Sequence, residues 1–302
     1  MSKPQPFVLF NGNIVPAAQA TVSVASSAVL YGLSVYSVFL ATKQGDNWLG
    51  FRVPEHITRL KQSAHMIGFK NVESVLHETE LPAQLHALIE ANQPSTDQFF
   101  RITIHATELI PGVRTSNLEL TLSVFMHDAI NILPRENVRL KTSLWRRTTD
   151  TSIPARAKVN GAYVNSALAK QDALDAGCDD CLFLNQQGYV SELSAANVFM
   201  IKRGELITPD CSSDILEGIT RRSVIELAHQ QHIPVTERKV ALPEFYTAGE
   251  VFACGTSACL ASVNEIDNRK IASGSYGPLT AQLEKALKAE QWNPDSDWTI
   301  LL

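Results

Sequence analysis

Apolar residues recur with two different periods along this chain of 302 residues. The segment "PEHITRLKQSAHMIGF" (54–69) places Ile57, Leu60 and Ala64 on one face of a helix. In contrast, "FFRITIHATE" (99–108) alternates between apolar and polar residues, as half-buried strands do. A chain that carries both periods must bury helical stripes and sheet faces together. The pattern therefore predicts an α+β protein.

The periodicity lapses in "HDAINILPREN" (127–137), which also contains a proline. We expect an interdomain linker at residues 127–136. It would separate a small N-terminal domain at residues 1–126 from a larger C-terminal domain at residues 137–302.

The composition excludes several classes of partner. The net charge is −5, and the basic residues are scattered singly or in short pairs, so nothing resembles the basic stripe that nucleic acid requires. No run approaches the ~20 apolar residues of a membrane-spanning helix. The cysteines are odd in number, and the C-x-x-C pair Cys178 and Cys181 lacks the second pair that a zinc site needs. We expect a cytoplasmic protein with reduced thiols, no metal, and no nucleic-acid or membrane partner.

Lys158 occupies an unusual position in "IPARAKVNGAYV" (153–164), behind a proline and before an Asn-Gly turn signal. At a half-buried site, desolvation lowers the pKa of a lysine and frees its amine to attack a carbonyl. A second feature is "LEGITRRS", in which Gly218 precedes a predicted helix. The backbone N–H groups of Ile219 and Thr220 would then form an anion site at the helix N-terminus.

Two further features complete this set. The turn "CGTSA" (254–258) supplies the hydroxyls of Thr256 and Ser257, which can complete a phosphate cup. Glu192 interrupts an apolar alternating strand and needs a charged partner if it is buried. Singly, these features are also typical of a tight turn and an exposed carboxylate. Together, an amine nucleophile, a phosphate cup and a carboxylate for a ring nitrogen are the groups that pyridoxal phosphate requires.

Six blocks of the chain, in the same order, resemble the fold-type IV pyridoxal-phosphate enzymes. This family includes branched-chain aminotransferases, D-amino-acid aminotransferases, (R)-selective amine transaminases and aminodeoxychorismate lyases. The blocks are "LYGLSVYSV" (30–38), "RVPEHITRLKQSA" (52–64), "AKVNGAY" (157–163), "GYVSELSAANVFMI" (188–201), "ILEGITRRSV" (215–224) and "CGTSA" (254–258). The resemblance implies a two-domain fold of the D-amino-acid aminotransferase type, with a small α/β N-terminal domain and a larger β-barrel-like C-terminal domain. It also implies pyridoxal 5'-phosphate as cofactor and a homodimer.

The resemblance also implies residue roles. Lys158 would form the Schiff base, or internal aldimine, with the cofactor, and would then move the substrate proton. Glu192 would partner the pyridine nitrogen, and Tyr163 would donate a hydrogen bond to the phenolic oxygen. The remaining cofactor-binding residues would be Arg59, Ile219, Thr220, Thr256 and Ser257 at the phosphate, together with Ala195, Asn197, Leu216 and Gly218. The substrate pocket would comprise Tyr31, Tyr36, Val38, Leu40, Phe99, Arg101, Val113, Arg114 and Ala258.

The residues at the pocket give conflicting indications of substrate. Branched-chain enzymes usually carry Phe-Glu-Gly and a terminal cation where this chain reads Tyr36-Ser37-Val38-Phe39-Leu40. Val38 resembles the D-amino-acid and (R)-amine transaminases, whereas Phe99 and Arg101 resemble the Tyr-x-Arg pair of branched-chain enzymes. Glu217 also replaces a proline of the helix-start motif, which places an acid near the phosphate.

The sequence as a whole predicts a pyridoxal-phosphate aminotransferase of the branched-chain type, with an amino donor and a 2-oxo acid as its small-molecule substrates. Alternatives are a D-amino-acid or (R)-amine transaminase and, less strongly supported, an aminodeoxychorismate lyase. From a different class, a catalytically silent relative that binds cofactor also stays open. In a dimer, we expect the loop at residues 107–117 to reach the neighbouring subunit's site.

Overall fold

The computed structural model describes residues 3–272 and 276–302. The strands are β1 (Phe7–Phe10), β2 (Asn13–Pro16), β3 (Ser34–Gln44), β4 (Asn47–Phe51), β5 (Gln98–Ala106), β6 (Leu120–Asp128), β7 (Val138–Arg146), β8 (Asp180–Leu184), β9 (Val190–Leu193), β10 (Asn197–Lys202), β11 (Glu205–Thr208), β12 (Val235–Glu237), β13 (Glu250–Gly255), β14 (Cys259–Ile266), β15 (Arg269–Lys270) and β16 (Thr299–Leu301). The helices are α1 (Ser27–Leu30), α2 (Val53–Met66), α3 (Leu81–Asn92), α4 (Tyr163–Asp175), α5 (Ile219–Gln230), α6 (Leu242–Tyr246) and α7 (Pro278–Gln291). Within these described ranges, no helix is both long and apolar enough to cross a membrane.

The chain divides into two compact units. The first comprises Met1–Ile130, Ala157–Ala162 and Glu290–Leu302. The second comprises Asn131–Arg156 and Tyr163–Ala289. The first division falls inside the predicted linker at 127–136, but two later segments belong to the first unit rather than to the predicted C-terminal domain.

Backbone pairing explains both differences from the predicted boundaries. Leu301 of β16 pairs with Leu49 of β4 in antiparallel register, so the chain end completes an edge of the first sheet. Val159 forms an isolated antiparallel bridge with Val35 of β3. Such pairings join residues far apart in the chain, and local periodicity carries no record of them.

The first unit is built on a seven-stranded sheet in the order β16-β4-β3-β5-β6-β1-β2. Strands β1 and β2 form a hairpin, joined by Asn11 and Gly12 with φ of 47° and 79°. Helix α2 packs against β3. Phe39 and Phe100, on the face of the sheet that includes Ser37, stack with ring centroids 5.1 Å apart.

The register of the central strands decides which side chains share the opposite face. Val38 of β3 lies opposite Arg101 of β5, and Arg101 lies opposite Phe125 of β6. Leu40 lies opposite Phe99 in the same way. Because side chains alternate along a strand, these residues all point to one side of the sheet.

The second unit contains a nine-stranded sheet, in which β12-β11-β10-β13-β14-β7-β8-β9 form a continuous order and β15 pairs with β14. Strand β7 runs parallel to both neighbours, β14 and β8. The buried core of this unit is aliphatic, with Leu182, Val198, Ala253 and Val263 among its residues. Helix α5 contacts β13.

Candidate active site

The backbone of Lys158 is fixed from two sides within the first unit. Its carbonyl oxygen accepts a hydrogen bond from the Tyr36 N–H at 3.0 Å. Its own N–H donates to Ser63 Oγ at 3.1 Å, and Ser63 lies on α2. The half-buried side chain brings Nζ to 4.9 Å from the centroid of the Tyr36 ring. The amine is therefore held at a defined place above an aromatic face rather than projecting freely into water.

A close approach of two glycines anchors the residues after Lys158. The Gly161 N–H donates to the Gly32 carbonyl at 3.2 Å, and the Asn160 N–H donates to the Ser34 carbonyl at 2.8 Å. Gly32 has a φ of +68°, and a Cβ there would lie 2.8 Å from the Gly161 Cα. Only glycine satisfies both the backbone angle and the space at this position.

Arg59 projects from α2 toward β3 and is only 8% exposed. Its Nη2 donates to Ser37 Oγ at 3.2 Å. The Ser63 hydroxyl that accepts from the Lys158 N–H donates in turn to the Arg59 carbonyl at 2.8 Å. One helix thus supports both the predicted phosphate arginine and the predicted nucleophile.

Arg101 lies on the sheet face shared by the predicted pocket residues of β3 and β5. Its guanidinium carbon stacks 3.6 Å from the centroid of the Tyr36 ring, and its Nη2 donates to Asn160 Oδ1 at 2.7 Å. Burial, and then the charge of Arg101, lower the pKa of His105 to about 4, so this neighbouring histidine is neutral near pH 7. Arg101 therefore carries a positive charge on this part of the face, whereas His105 does not.

The structure brings five of the predicted pocket residues onto this one face, namely Tyr36, Val38, Leu40, Phe99 and Arg101. Tyr31 lies just after α1 and is 40% exposed. Val113 and Arg114 are exposed in the loop at residues 107–117, and Val113 is 88% exposed. Ala258 lies in the second unit and is buried.

In the second unit, Glu192 of β9 is buried and held by three donors. Arg147 Nη2 lies 2.8 Å from Oε1. Oε2 accepts from Asn197 Nδ2 at 3.0 Å and from the Leu216 N–H at 3.2 Å. The charged partner that a buried carboxylate requires is therefore Arg147, at the end of β7. The sequence did not predict a role for Arg147. It belongs to the short basic pair Arg146-Arg147, which looks like ordinary surface charge.

The start of α5 lies beside Glu192's partner Asn197. Gly218 is the N-cap residue and provides no side-chain hydrogen bond to the helix. A Cβ on Gly218 would lie 2.3 Å from Asn197 Oδ1, so a larger residue cannot be accommodated without movement. Ile219 and Thr220 are buried at the first turn. This helix start retains backbone N–H groups able to face an anion.

The "GTS" turn (255–257) packs against the loop that follows Glu192. A Cβ on Gly255 would lie 3.4 Å from the Ala195 carbonyl oxygen, so the turn packs closely against the residues that follow Glu192. Thr256 and Ser257 are half-buried. The Ser257 carbonyl accepts from the Ile132 N–H at 2.8 Å, which fixes the backbone of the turn.

Glu217, the acid that replaces a proline just before α5, forms a salt bridge. Glu217 Oε1 lies 3.2 Å from Arg156 Nη1, and Arg156 Nε lies 2.9 Å from Asp150 Oδ2. The negative charge near the helix start is thus paired with a cation. This pairing reduces the repulsion that Glu217 would exert on a phosphate.

The remaining predicted features are Tyr163 and the C-x-x-C pair. Tyr163 is the half-buried first residue of α4. Cys178 and Cys181 are free thiols, and burial raises the pKa of Cys181. Across residues 3–272 and 276–302, the structure contains no group of three or more His, Cys, Asp or Glu side chains arranged to hold a metal ion.

The groups present fit pyridoxal phosphate. The first unit offers a half-buried amine and a buried arginine, Lys158 and Arg59. The second offers a helix start without a side-chain cap and a buried carboxylate, Glu192, fixed by donors on both oxygens. An amine, an anion-binding site and a carboxylate are the groups that this cofactor requires from a protein.

Comparison with known proteins agrees with this chemistry. A probable branched-chain-amino-acid aminotransferase of Aquifex aeolicus is 36% identical over 283 residues, which cover 92% of this chain and 90% of that relative. The crystal structure of the branched-chain aminotransferase from Thermoproteus uzoniensis with norvaline matches with a TM-score of 0.92 at 29% identity, covering 99% of each chain. The branched-chain amino acid aminotransferase from Thermobaculum terrenum, in its PLP-bound holo-form, matches with a TM-score of 0.91 at 28% identity, covering 99% of this chain and 98% of that one.

These matches confirm the predicted fold class, the aminotransferase activity and the pyridoxal-phosphate cofactor. The sequence profile of the amino-transferase class IV family matches residues 37–266. The chain therefore belongs to the class IV aminotransferase family.

Proposed function

We propose that this protein transfers the amino group of branched-chain amino acids to a 2-oxo acid. The observation that carries the substrate class is the sheet face on which Arg101 lies beside Val38, Leu40 and Phe99. A guanidinium can bind a carboxylate bidentately, while the apolar side chains suit an aliphatic substrate side chain. The names of the Aquifex aeolicus and Thermoproteus uzoniensis relatives support the same class.

In this proposal Lys158 is the catalytic amine. When bound, pyridoxal phosphate supplies a carbonyl carbon for amine attack and a ring that accepts electrons. Lys158 would hold the cofactor through its amine and would take and return the proton at the substrate α-carbon. Glu192 would stabilise the protonated ring nitrogen, and Tyr163 would donate a hydrogen bond to the ring oxygen.

We further propose that the phosphate ligands are those that the family resemblance implies. They are the Arg59 guanidinium, the backbone N–H groups at Ile219 and Thr220, and the hydroxyls of Thr256 and Ser257. Charge-assisted hydrogen bonds and a helix N-terminus are the usual protein partners of phosphate. The part of the cofactor site around Glu192 would be shaped by Ala195, Asn197, Leu216 and Gly218.

A second candidate function is a D-amino-acid or (R)-amine transaminase. The specific observation in its favour is Val38, which lies directly opposite Arg101 and narrows the space that a glycine would leave. Leu40, on the same face, replaces a cation with an apolar side chain. Both residues make the face beside Arg101 less polar, which suits the (R)-amine donor in particular, because that donor has no carboxylate.

A half-reaction screen tests the assignment. Holoenzyme is mixed separately with L-leucine, L-valine, D-leucine, D-alanine and (R)- or (S)-1-phenylethylamine, and the visible absorbance of the cofactor is followed. We expect the L-branched-chain amino acids to give the fastest conversion. Fastest conversion with a D-amino acid or an (R)-amine would overturn the proposal in favour of the second candidate. Holoenzyme that converts none of these donors would indicate a silent relative.

Replacing Arg101 with leucine should raise the KM for 2-oxo acids by about 10- to 100-fold, the size expected from losing a hydrogen bond to a charged group. Transfer from a simple amine donor should be comparatively intact, because that donor has no carboxylate. Steady-state kinetics with each substrate varied in turn measure the two effects.

The matched control for this prediction is Arg269→Leu. The Arg269 guanidinium also stacks on a tyrosine, 4.6 Å from the Tyr246 ring centroid, but it lies in the second unit. Arg269→Leu should change neither the KM for the 2-oxo acid nor the KM for the amine donor. If Arg101→Leu slows the amine and oxo-acid half-reactions by equal factors, Arg101 supports the fold and its pocket role is wrong.

We propose a homodimer in which the loop at residues 107–117 contributes to the neighbouring subunit's pocket through Val113 and Arg114. Exposed apolar side chains support this assembly. Ile110 lies on that loop, Val29 lies in α1, and Val24 precedes α1. The Ile110 N–H donates to the Ala25 carbonyl at 3.1 Å, so the two segments lie side by side. The free thiols fit a reducing compartment such as the cytoplasm.

A further inference from the structure

Ser37 lies on the face of β3 opposite to the predicted pocket and is fully buried against α2. Its hydroxyl makes two described side-chain contacts. Arg59 Nη2 donates to Ser37 Oγ at 3.2 Å, and His56 Nδ1 lies 2.9 Å from the same oxygen. A serine hydroxyl thus links the guanidinium to a buried imidazole.

The direction of the first hydrogen bond follows from the groups involved. A guanidinium can only donate, so the Ser37 oxygen accepts from Arg59. A serine hydroxyl has one proton and a second lone pair, so His56 Nδ1 can complete the contact as acceptor or as donor, according to the tautomer of the ring. The two contacts together fix the Ser37 hydroxyl and, through it, the Arg59 guanidinium.

The hydrogen bond to Ser37 restricts the conformations of the Arg59 side chain. Because an arginine has many rotamers, fixing one of them lowers the entropy lost when the ligand binds.

The surroundings of His56 keep it in place. Its side chain is 1% exposed, and its ring lies 6.2 Å from that of Phe39. His56 and Arg59 are three residues apart on α2, so they share one face of the helix. The Ser37 hydroxyl is thus held between two side chains of the same helix.

We propose that Ser37 and His56 are positioning residues that hold the Arg59 guanidinium ready for the phosphate group of the cofactor. This inference rests on the proposed role of Arg59 as a phosphate ligand. Neither Ser37 nor His56 touches the reacting atoms. Their effect is confined to the preference for a ligand that carries a phosphate.

The test compares pyridoxal phosphate with pyridoxal, which lacks the phosphate, on full-length protein stripped of cofactor. We expect Ser37→Ala to raise the Kd of pyridoxal phosphate about tenfold, as expected when one hydrogen bond to a charged group is lost. The Kd of pyridoxal should change less than twofold. His56→Ala should reproduce this selective loss, whereas His56→Asn, whose amide oxygen can accept near the Nδ1 position, should restore much of the affinity. The two His56 variants carry the test if Ser37→Ala does not fold.

The matched control is Ser34→Ala on the opposite face of the same strand. Ser34 Oγ lies 3.3 Å from His105 Nδ1, so this variant also breaks a serine–histidine contact, one that is part-buried. It should leave the Kd of pyridoxal phosphate unchanged. An equal rise in both Kd values for Ser37→Ala would mean general loss of structure and would overturn the inference.

Arg59→Met separates the inference from the role on which it rests. If this variant loses the preference for the phosphate-bearing ligand while Ser37→Ala and His56→Ala keep it, the positioning role is wrong and the Arg59 role stands. If Arg59→Met itself keeps the preference, the phosphate assignment fails, and the inference fails with it.

Discussion

Replacing Lys158 with alanine is expected to reduce amino transfer by at least about 10³-fold, because the substitution removes both the nucleophile and the proton-transferring group. The variant should still bind pyridoxal phosphate noncovalently, since the proposed phosphate ligands Arg59, Thr220 and Thr256 are untouched. The Lys158 backbone contacts with Tyr36 and Ser63 use only main-chain atoms of residue 158, so alanine can preserve them. The loss of activity therefore should not come from misfolding.

Borohydride reduction of the holoenzyme, followed by peptide mapping, checks this assignment directly. The cofactor label should be found on the peptide that contains Lys158 and should be absent from the variant. The matched control is Lys43→Ala, because Lys43 Nζ also lies over an aromatic ring, 5.7 Å from the Trp48 centroid, but outside the proposed site. Lys43→Ala should still carry the cofactor label on the peptide that contains Lys158, and it should still catalyse amino transfer. A label on any other lysine would show that Lys158 is not the nucleophile.

Glu192→Gln is expected to slow the amino-acid half-reaction by about 10²-fold or more while leaving the cofactor bound. A neutral amide cannot stabilise a protonated ring nitrogen by charge pairing. The structure adds a second effect, because Arg147, Asn197 and the Leu216 N–H all donate to Glu192. A glutamine must turn its NH2 group toward one of these donors, which costs about 1–3 kcal/mol of stability.

Single-turnover rates and thermal unfolding separate the chemical effect from the structural one. Glu284→Gln is the matched control, since Glu284 is a buried carboxylate that accepts from Arg135 at 2.8 Å and pairs with Lys288 at 2.8 Å in the same unit. This control should lower stability without slowing the half-reaction in folded holoenzyme. If Glu192→Gln behaves like the control, Glu192 has a structural role and the ring nitrogen is stabilised by another group.

The elements with strong periodicity were predictable from the sequence. The helix predicted at 54–69 is α2 at Val53–Met66, and the strand predicted at 99–108 is β5 at Gln98–Ala106. The hairpin at Asn11-Gly12 depends on an equally local signal, because an Asn-Gly pair readily adopts positive φ at both positions. By contrast, β16 at Thr299–Leu301 was not predictable, since a short edge strand forms only where β4 offers unpaired backbone groups.

By itself, the sequence determined the α+β class, the family and the identity of the predicted nucleophile, Lys158, because each depends on local pattern or on motifs in a fixed order. Only the tertiary structure decided which side chains meet: Arg147 with Glu192, Asn160 with Arg101, and His56 with Ser37. The partners in each pair lie between 19 and 59 residues apart in the chain. Strand register and the packing of α2 on β3 bring them together, and these are properties of the assembled core rather than of any local segment.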